Sequence, residues 1–433
     1  MYTALSGFIS ALRWPNALMD VQLNVFSSGA PTALYFPVSD ASFTYDRNSE
    51  QRRSGQVTVQ IPPTIPPGLV SFNGSTVPYL PIDPSSPLAP FGSEVQPSVS
   101  LLAPDLSQGS VHGVNGWVSL GTYVIASSVV QASAINVVCQ LTLYDRSWPF
   151  SQWQLLANYN YPAAGGGLEA EVIALLSYVW NNNGPGQNGE PVPSYITGGS
   201  FQGNTSGWTA PAGTLNQSQD PWAACQQWAT SAGQELYFDI NGLLTCKPIP
   251  GSPAGGTLNS LPVVWGFNPN EVSAVGTLQH PLGGTPFTSP VATSLSMTRA
   301  VQNDFFVSAT GAQNITGTAQ PVMQEWKDGN PQSPTSIYGP MGRVPSFVWD
   351  SNITTAAQAL AEAQYDEGVS VASAWTLSVA TPPNPLFDLD DVVSVTDPRL
   401  NLTNQKFIID TISTSVRYDA TQTLTGRVIA PGA

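Results

Sequence analysis

The clearest alternation of apolar and polar positions lies in residues 220–250, and its first half predicts a helix. Apolar side chains recur at helical spacing at Trp222, Cys225, Trp228, Ala229 and Ala232. Asp220 is a favourable N-cap, and Pro221 occupies the first helical position, where its missing N–H is not needed. Gly233 is suited to end the helix because it tolerates left-handed backbone angles.

The second half of the same stretch predicts a β-hairpin. Residues 236–238 and 243–246 are mostly apolar, and Asp239, Asn241 and Gly242 stand between them. An Asn-Gly pair favours a tight turn because both residues accept positive φ angles. One helix followed by one hairpin is therefore the best-defined local structure that the sequence predicts.

Short β-strands dominate the pattern before this unit. Period-two alternation and β-branched runs predict strands at residues 21–25, 41–45, 56–61, 117–126 and 137–144. A set of about six such strands is typical of a small barrel or sandwich. The proline-rich residues 62–104, by contrast, predict a long surface loop.

Helices and strands mix in the rest of the chain. Helical spacing predicts helices at 168–180 and 354–366, the second with Thr354 or Thr355 as its N-cap. Glu169 and Glu171 fall in the first turn of the earlier helix, where the helix dipole favours acidic side chains. A linker rich in Gly, Pro and Ser at 251–259 precedes a second β region, with strands predicted at 303–310, 375–380, 391–396, 407–415 and 421–428.

These elements predict a mainly β fold with an α+β insertion, in which two small β-barrel-like domains flank a mixed domain. The predicted domains are an N-terminal arm or short helix at 1–20, a first barrel at 21–150, an α+β domain at 151–255, a second β region at 256–345, and a helix with the closing strands of the second barrel at 346–433. Residues 1–20 lack the basic start and the cleavage site of a signal peptide. No run is long enough to span a bilayer, so stable membrane insertion is not expected.

Composition indicates a folded chain that does not bind nucleic acid through a broad basic face. Only 9% of residues are charged, 42% are hydrophobic, and the net charge is −15. An acidic surface repels the phosphate backbone, although an acidic channel is compatible with DNA passing through without adhering. The cysteines Cys139, Cys225 and Cys246 each lie in an apolar segment and are predicted to be buried free thiols.

Little in the sequence points to catalysis or to a cofactor. The two histidines, His112 and His280, lie beside Gly or Pro outside any catalytic motif. The acidic run Asp388, Asp390 and Asp391 lacks the Gly-centred spacing of a calcium loop, so a solvated turn is the better interpretation. We predict no catalytic, cofactor-binding or metal site.

One charged cluster stands out, after the second predicted strand. Arg47, Arg52 and Arg53 lie close together in an acidic, charge-poor chain. They can pair with acidic side chains within the domain or across a subunit contact, or can belong to a solvated loop. As a candidate subunit interface, the cluster predicts that reversing Arg52 and Arg53 to glutamate weakens assembly more than folding of the subunit.

Several motifs, in order over most of the chain, resemble the tail hub proteins of bacteriophages that infect actinobacteria, which are often called minor tail proteins. They are ASFTYDRNSEQRRSGQVTV at 41–59, LYDRS at 143–147, the unit at 220–250, NDFFVSATG at 303–311, SPTSIYGPMGRVP at 333–345 and NPLFDLDDVVSVTDP at 384–398. Such hubs are similar to the trimeric baseplate hub of long-tailed phages. The resemblance implies two barrels per subunit, which let a trimer present a pseudo-sixfold face to a hexameric tail tube. It carries over no catalytic residue.

The resemblance implies a structural virion protein at the tail tip, assembled in the cytoplasm of the bacterial host. It would be a homotrimeric hub without cofactors that encloses the channel for DNA ejection. It would join the tail tube or a distal tail protein on one side to a tip fibre or spike protein on the other. One alternative is a tail protein that binds a receptor or a cell-wall carbohydrate through exposed Trp and Tyr side chains. Another is a wall-degrading glycosidase, which requires two carboxylates about 5–10 Å apart in a cleft.

Overall fold

A computed structural model describes residues 18–27, 30–61, 69–72, 75–78, 80–91, 93–105, 110–113, 117–133, 137–164, 166–202, 208–250, 260–268, 287–288, 292–309, 322–331, 333–416 and 421–429. The predicted linker at 251–259 and residues 1–17 of the predicted arm lie outside this set. Residues 18–20, the rest of that arm, instead begin the first strand.

The structure contains strands along most of its length and helices mainly in the middle. The strands are β1 (Leu18–Ser27), β2 (Ala30–Asp46), β3 (Arg53–Ile61), β4 (Leu69–Phe72), β5 (Ser75–Pro78), β6 (Ser93–Asp105), β7 (Ser110–Gly113), β8 (Val118–Ser119), β9 (Tyr123–Ala132), β10 (Val137–Tyr144), β11 (Tyr159–Tyr161), β12 (Ser200–Phe201), β13 (Gly213–Leu215), β14 (Gln234–Phe238), β15 (Leu244–Pro248), β16 (Val263–Phe267), β17 (Phe287–Thr288), β18 (Ala292–Met297), β19 (Asp304–Ala309), β20 (Val322–Lys327), β21 (Pro345–Trp349), β22 (Trp375–Thr381), β23 (Val392–Asp397), β24 (Leu402–Ser415) and β25 (Gln422–Val428). The helices are α1 (Ser147–Gln152), α2 (Leu168–Asn183), α3 (Ser194–Thr197), α4 (Pro221–Ser231) and α5 (Ala356–Ser373), with 3-10 turns at Pro185–Asn188 and Pro398–Leu400.

Six strands of the first β region close into a barrel. They pair in the order β1-β6-β9-β10-β3-β2, and β2 returns to pair with β1. Along β3, buried Val57 and Val59 alternate with exposed Gln56 and Gln60, because successive side chains of a strand point to opposite faces. The inward side chains fill the barrel, and the structure confirms the predicted mainly β fold with an α+β insertion.

The loop predicted at 62–104 is wrong for residues 93–104, which belong to the long barrel strand β6. A proline is tolerated within a strand where no neighbouring strand needs a hydrogen bond from the N–H group that proline lacks. On one side of β6, β9 pairs with Glu94 and Val95, and β8 pairs with Ser98 and Val99. Pro97 falls in the gap between these two ladders.

The second β module is joined directly to the barrel through β2. Residues 42–46 of β2 pair with residues 411–415 of β24. From β24 the sheet continues through β23 and β16 to β17 on one side, and through β25 and β22 to β18 on the other. The two β modules therefore share one continuous sheet and one hydrophobic core.

Residues 147–249 form the α+β insertion, which has its own apolar core. The helix and hairpin predicted at 220–250 are confirmed as α4, β14 and β15. The Asp220 carboxylate accepts hydrogen bonds from the backbone N–H groups of Trp222 and Ala223, and Gly242 has a φ of +72° in the hairpin turn. The local sequence is sufficient to predict this unit, because the helix cap and the hairpin turn are each formed by residues that are close together along the chain.

Glu171, predicted only to favour the helix dipole, is fully buried and organises the loop before α2. Its carboxylate accepts hydrogen bonds from the backbone N–H groups of Ala163, Ala164 and Gly166, at 2.8, 2.8 and 2.9 Å. A buried carboxylate is tolerated when donors satisfy it, and three orphan N–H groups would be costly.

We expect Glu171→Gln to lower the free energy of unfolding by about 1–3 kcal/mol, because the amide offers one acceptor oxygen in place of two. Urea denaturation followed by circular dichroism measures the change. The matched control is Glu169→Gln on the exposed side of the same helical turn, which should change stability by less than about 0.5 kcal/mol. Equal effects of the two substitutions would contradict the role assigned to Glu171.

A small third module contains the sheet β20-β19-β21 with α5 packed on one face. Phe305, Val307 and Ala309 of β19 bury against Ala359 and Ala363 of α5. The predicted N-cap is confirmed at Thr355, whose side chain accepts from the N–H of Gln358 in a capping box. The helix continues beyond its predicted end at residue 366, through Gly368 to Ser373, since tertiary packing outweighs the modest cost of one glycine.

Candidate functional site

The three arginines singled out by the sequence lie where the barrel, the insertion and the second β module meet. Arg47, Arg52 and Arg53 stand around the turn between β2 and β3. The insertion contributes Glu235 and Lys247, a directly opposed pair on β14 and β15. The second β module contributes Asp388, Asp390 and Asp410.

Asp390 is the centre of this interdomain cluster. Its carboxylate lies 3.0 Å from Arg47 Nε and 3.1 Å from Lys247 Nζ, and it also pairs with the Arg52 guanidinium. Glu235 carries the second negative charge, 3.1 Å from Arg52 and 3.2 Å from Lys247. The two carboxylates thus hold three cations that come from two different parts of the chain.

The solvated-loop alternative for the arginines is wrong, since their side chains are 7%, 6% and 1% exposed for Arg47, Arg52 and Arg53. The Arg52 guanidinium also lies 4.0 Å above the centre of the Tyr237 ring, a favourable cation–π contact. These contacts join three parts of one chain, an arrangement that the sequence prediction did not include. A subunit contact through the same residues stays a prediction.

The acidic run is likewise structural. Asp391 is buried and accepts a hydrogen bond from the Asp388 backbone N–H, and Asp388 pairs with Arg53. Asp390 adopts a left-handed backbone with a φ of +67°, which turns its carboxylate towards the arginines. The solvated turn predicted for these residues is therefore wrong, because Asp391 is buried and Asp388 and Asp390 pair with arginines of the barrel.

A second polar junction holds the barrel to the insertion through the LYDRS motif. Arg146 Nε donates to a Glu94 carboxylate oxygen at 2.8 Å, and Arg146 Nη1 donates to the Gly242 carbonyl at 2.6 Å. The guanidinium also stacks on the Tyr195 ring at 3.9 Å. Asp145 accepts from the backbone N–H groups of Arg53 and Ser147, so the motif fixes how β10 leads into α1.

The interdomain cluster consists of buried ion pairs and a cation–π contact. A cleft of about 350 Å³ opens beside it, lined by Arg47, Glu50, Gln226, Tyr237 and Tyr365 among others. Within the described parts of the chain, no three His, Cys, Asp or Glu side chains are grouped to hold a metal ion. His280 and the side chain of His112 lie outside those parts. The ion pairs of the cluster hold the barrel, the insertion and the second β module in fixed relative positions.

Solved structures of two tail proteins are similar in fold to this chain over nearly its full length. The tail protein from Neisseria meningitidis MC58 matches with a TM-score of 0.55 and 12% identity, over 96% of this chain and 97% of that one. The 43 kDa tail protein of prophage MuSo2 from Shewanella oneidensis matches with a TM-score of 0.51 and 12% identity, over 94% and 98%. The chain has the fold of these tail proteins. No protein-family model and no curated protein matches the sequence.

The likeness covers nearly the whole tail-protein fold, so the barrel, the insertion and the second β module belong to one architecture. The three cysteines are buried and unpaired, as predicted. Burial raises the pKa of the Cys139 and Cys246 thiols to about 12, which keeps them in the unreactive thiol form. None of the helices in the described segments combines the length and apolarity needed to cross a bilayer.

A third polar contact, between the insertion and the small third module, consists of carboxyl groups that the sequence did not reveal. The Ser231 hydroxyl at the end of α4 donates to Asp350, just after β21. Glu362 of α5 contacts Asp350, and Asp366 lies near both. Burial, followed by the charges of Asp350 and Asp366, raises the pKa of Glu362 to about 8.

This arrangement predicts that stability falls as the pH rises. A carboxyl group whose folded-state pKa is raised stabilises the fold below its ordinary pKa of 4.5, and this contribution is lost as the pH rises to about 8. Glu362→Gln stays neutral, so we expect it to raise the free energy of unfolding at pH 8 by about 1–3 kcal/mol, with little effect near pH 4.5. Denaturation from pH 4.5 to 8.5 tests this; an unchanged pH slope in the variant would contradict it.

Proposed function

We propose that the protein is a structural virion component, the homotrimeric hub at the tip of a phage tail. The observation that carries the proposal is the tail-protein fold over almost the full length of the chain, with 94–96% of its residues aligned. The hub would join the tail tube or a distal tail protein to a tip fibre or spike protein, and enclose the DNA exit channel. We retain the predicted division into two β modules around the insertion as part of this proposal.

The interdomain contacts support a hub that transmits load between a tube and a spike. Because β2 and β24 share a ladder, the two β modules have one fixed orientation. The buried pairs around Asp390 tie the insertion to both modules. The resemblance implies two barrel-like modules per subunit, so three copies would supply six units to a hexameric tube, and cyclic symmetry is the usual way to close such an assembly.

Charge supports a channel that lets DNA pass. With a net charge of −15, a ring of three copies would repel the phosphate backbone rather than bind it. Such repulsion lowers the residence time of DNA on the wall during ejection. The proposal therefore includes phage DNA as a molecule in transit only.

Negative-stain electron microscopy of the purified protein, and of the particle with this chain labelled, tests the hub. We expect threefold rings with a central opening, and label at the tail tip. Label on lateral fibres, together with monomers that bind wall glycan, would contradict the hub.

A second candidate function is recognition of a receptor or a cell-wall carbohydrate. Exposed aromatic side chains on one face of the small third module favour it, including Phe347 and Trp349. Aromatic rings stack on sugar rings and also pack on many protein surfaces. The exposed rings are therefore compatible with binding either a carbohydrate or a protein receptor. Retention of the protein on purified cell-wall polysaccharide measures the carbohydrate alternative.

A further inference from the structure

The small third module is attached to the second β module at one end. Its sheet and α5 enclose a core of their own, separate from the cores of the barrel and of the insertion. The chain enters the module after β18 and leaves it after α5, where the Thr298 N–H donates to the Ala374 carbonyl at 2.9 Å. Ser370, in the last turn of α5, is hydrogen-bonded to Gln302 at the same end. A unit attached in this way can rotate about its attachment and keep its own core.

A second contact holds this module to the insertion, away from that attachment. The Ser231 hydroxyl at the end of α4 donates to Asp350 after β21, and both residues are buried. Glu362 of α5 lies against Asp350, and Asp366 lies about one helical turn further along. We call these four residues the acid junction. Glu362 lies about 18 Å along α5 from Ala374, at a rise of about 1.5 Å per residue, so a rotation at the attachment opens the junction.

The acid junction lacks a hydrogen-bond donor unless a proton is bound. Asp350 already accepts from the Ser231 hydroxyl and from the Asn352 backbone N–H. Glu362 Oε2 is shielded from solvent, and no group in the described chain donates a hydrogen bond to it. A buried acceptor without a donor is costly, and two ionised carboxylates cannot donate to each other. Only a proton on Glu362 therefore turns its contact with Asp350 into a hydrogen bond.

The charges around the two carboxyl groups of α5 favour this proton. In the described chain, the charged groups that act on Glu362 and Asp366 are carboxylates. Burial, followed by the charges of Asp350 and Asp366, raises the pKa of Glu362 to about 8. Burial, followed by the charge of Asp350, raises the pKa of Asp366 to about 6. Both groups consequently hold a proton more tightly here than they would in water.

The other titratable groups nearby do not supply a compensating charge. On the side of the insertion, burial and then the charge of Asp350 raise the pKa of Tyr161, so this residue stays neutral. On α5, Tyr365 lies near Arg47 and Arg427. These two arginines are already paired with carboxylates of the barrel-facing cluster. The response of the junction to pH therefore comes from the two carboxyl groups of α5.

We propose that the acid junction makes docking of the third module depend on pH: the module rests on the insertion while Glu362 holds a proton, and it moves away once Glu362 is ionised. The protonated group donates to Asp350 and needs no water. The ionised group repels Asp350 and needs hydration, which the buried contact with α4 excludes. Moving the module away from α4 admits water to both carboxylates. The aromatic face of Phe306, Phe347 and Trp349 moves with the module, because all three residues belong to its sheet.

Distances between pairs of spin labels, measured in the full-length protein, test this movement. The test pair is Gln227→Cys on α4 with Met323→Cys on β20; both positions are exposed, whereas the three native cysteines are buried. We expect one distance at pH 5.5 and a second, longer distance whose population grows up to pH 8.5. Proton linkage lowers the docking equilibrium constant by up to about tenfold per pH unit between 4.5 and about 8. A reference pair, Gln227→Cys with Gln131→Cys on β9, lies outside the third module and should keep its distance.

Two substitutions in α5 show which carboxyl group is responsible. Glu362→Gln stays neutral and can still donate to Asp350, so we expect this variant to remain docked at pH 8.5. The matched control is Glu367→Gln. Burial, followed by the charge of Asp328 within the same module, raises the pKa of Glu367 to about 7. This control removes a similar carboxyl group outside the junction and should leave the movement unchanged.

Three results would overturn the proposal. The first is a test-pair distance that stays the same from pH 5.5 to 8.5. The second is a longer distance at high pH that persists in Glu362→Gln. The third is a reference pair that changes together with the test pair, because the whole chain would then be unfolding. None of these results bears on the proposed hub, since the acid junction lies within one subunit.

Discussion

Replacing Arg52 with glutamate is expected to prevent the subunit from folding stably, rather than to leave a folded subunit that fails to assemble. The new carboxylate would lie among Glu235 and Asp390, which already need the Arg52 guanidinium to balance their buried charges. Breaking one buried pair costs about 3–5 kcal/mol, and adding a like charge in the same place costs more. The total approaches the whole stability of a typical domain, about 5–15 kcal/mol.

The measurement is the urea midpoint and the yield of soluble monomer, each compared with two other variants. Lys327→Glu is the control, because Lys327 and its partner Glu325 are 41% and 35% exposed and their pair lies at the surface; we expect it to cost less than about 1 kcal/mol. Arg52→Met keeps the volume without adding negative charge and should fall between the two. A folded Arg52→Glu subunit that loses only assembly would contradict this expectation and support the subunit contact predicted from sequence.

The pairing of these arginines within the chain shows what the sequence can and cannot reveal about a charge cluster. The arginines are conspicuous because they are neighbours in a charge-poor chain. Their partners are not, since Glu235 and Asp390 are far away along the chain and nothing local links them to the β2–β3 turn. One pair of the cluster could have been predicted from sequence. The Asn241-Gly242 turn fixes the register of the hairpin, and this register places Glu235 opposite Lys247.

The same distinction between local and distant contacts explains which parts of the fold could be predicted. The unit at 220–250 and the cap at Thr355 follow from neighbouring residues, and the structure has them as predicted. The sequence did not predict the strand that contains Pro97. The proline is acceptable there only because β8 and β9 pair with β6 on either side of it and leave a gap at Pro97. The ladder between β2 and β24 joins the two ends of the chain, and no periodic pattern encodes such a pairing.

Sequence also could not reveal the aromatic face of the small third module. Phe306 lies in the strand predicted at 303–310, whereas Phe347 and Trp349 lie outside every strand that the sequence predicts. Alternate side chains of a strand point to opposite faces of the sheet, and only the packing of α5 on one face decides which of them are exposed. The exposure of this face therefore follows from tertiary structure alone.

Asp390→Asn is expected to lower the free energy of unfolding by about 3–5 kcal/mol at pH 7, because Arg47, Arg52 and Lys247 lose the carboxylate that they share. Burial alone would raise the pKa of Asp390, but the charges of Arg52, Lys247 and Arg47 outweigh it and hold the pKa well below its usual range. A group with a depressed folded-state pKa stabilises the fold above its unfolded pKa, near about 4, and this contribution is lost as the pH falls further.

The difference between the wild type and Asp390→Asn should consequently be largest near neutral pH and should shrink as the pH falls below about 4. Denaturation of both proteins from pH 2.5 to 8 measures it, with Asp83→Asn as the control. Asp83 is an exposed turn residue that accepts from Ser85, so its substitution should cost less than about 1 kcal/mol. A constant difference at every pH would mean that the cost of Asp390→Asn comes from lost hydrogen bonds, and not from the buried charge that joins the three parts of the chain.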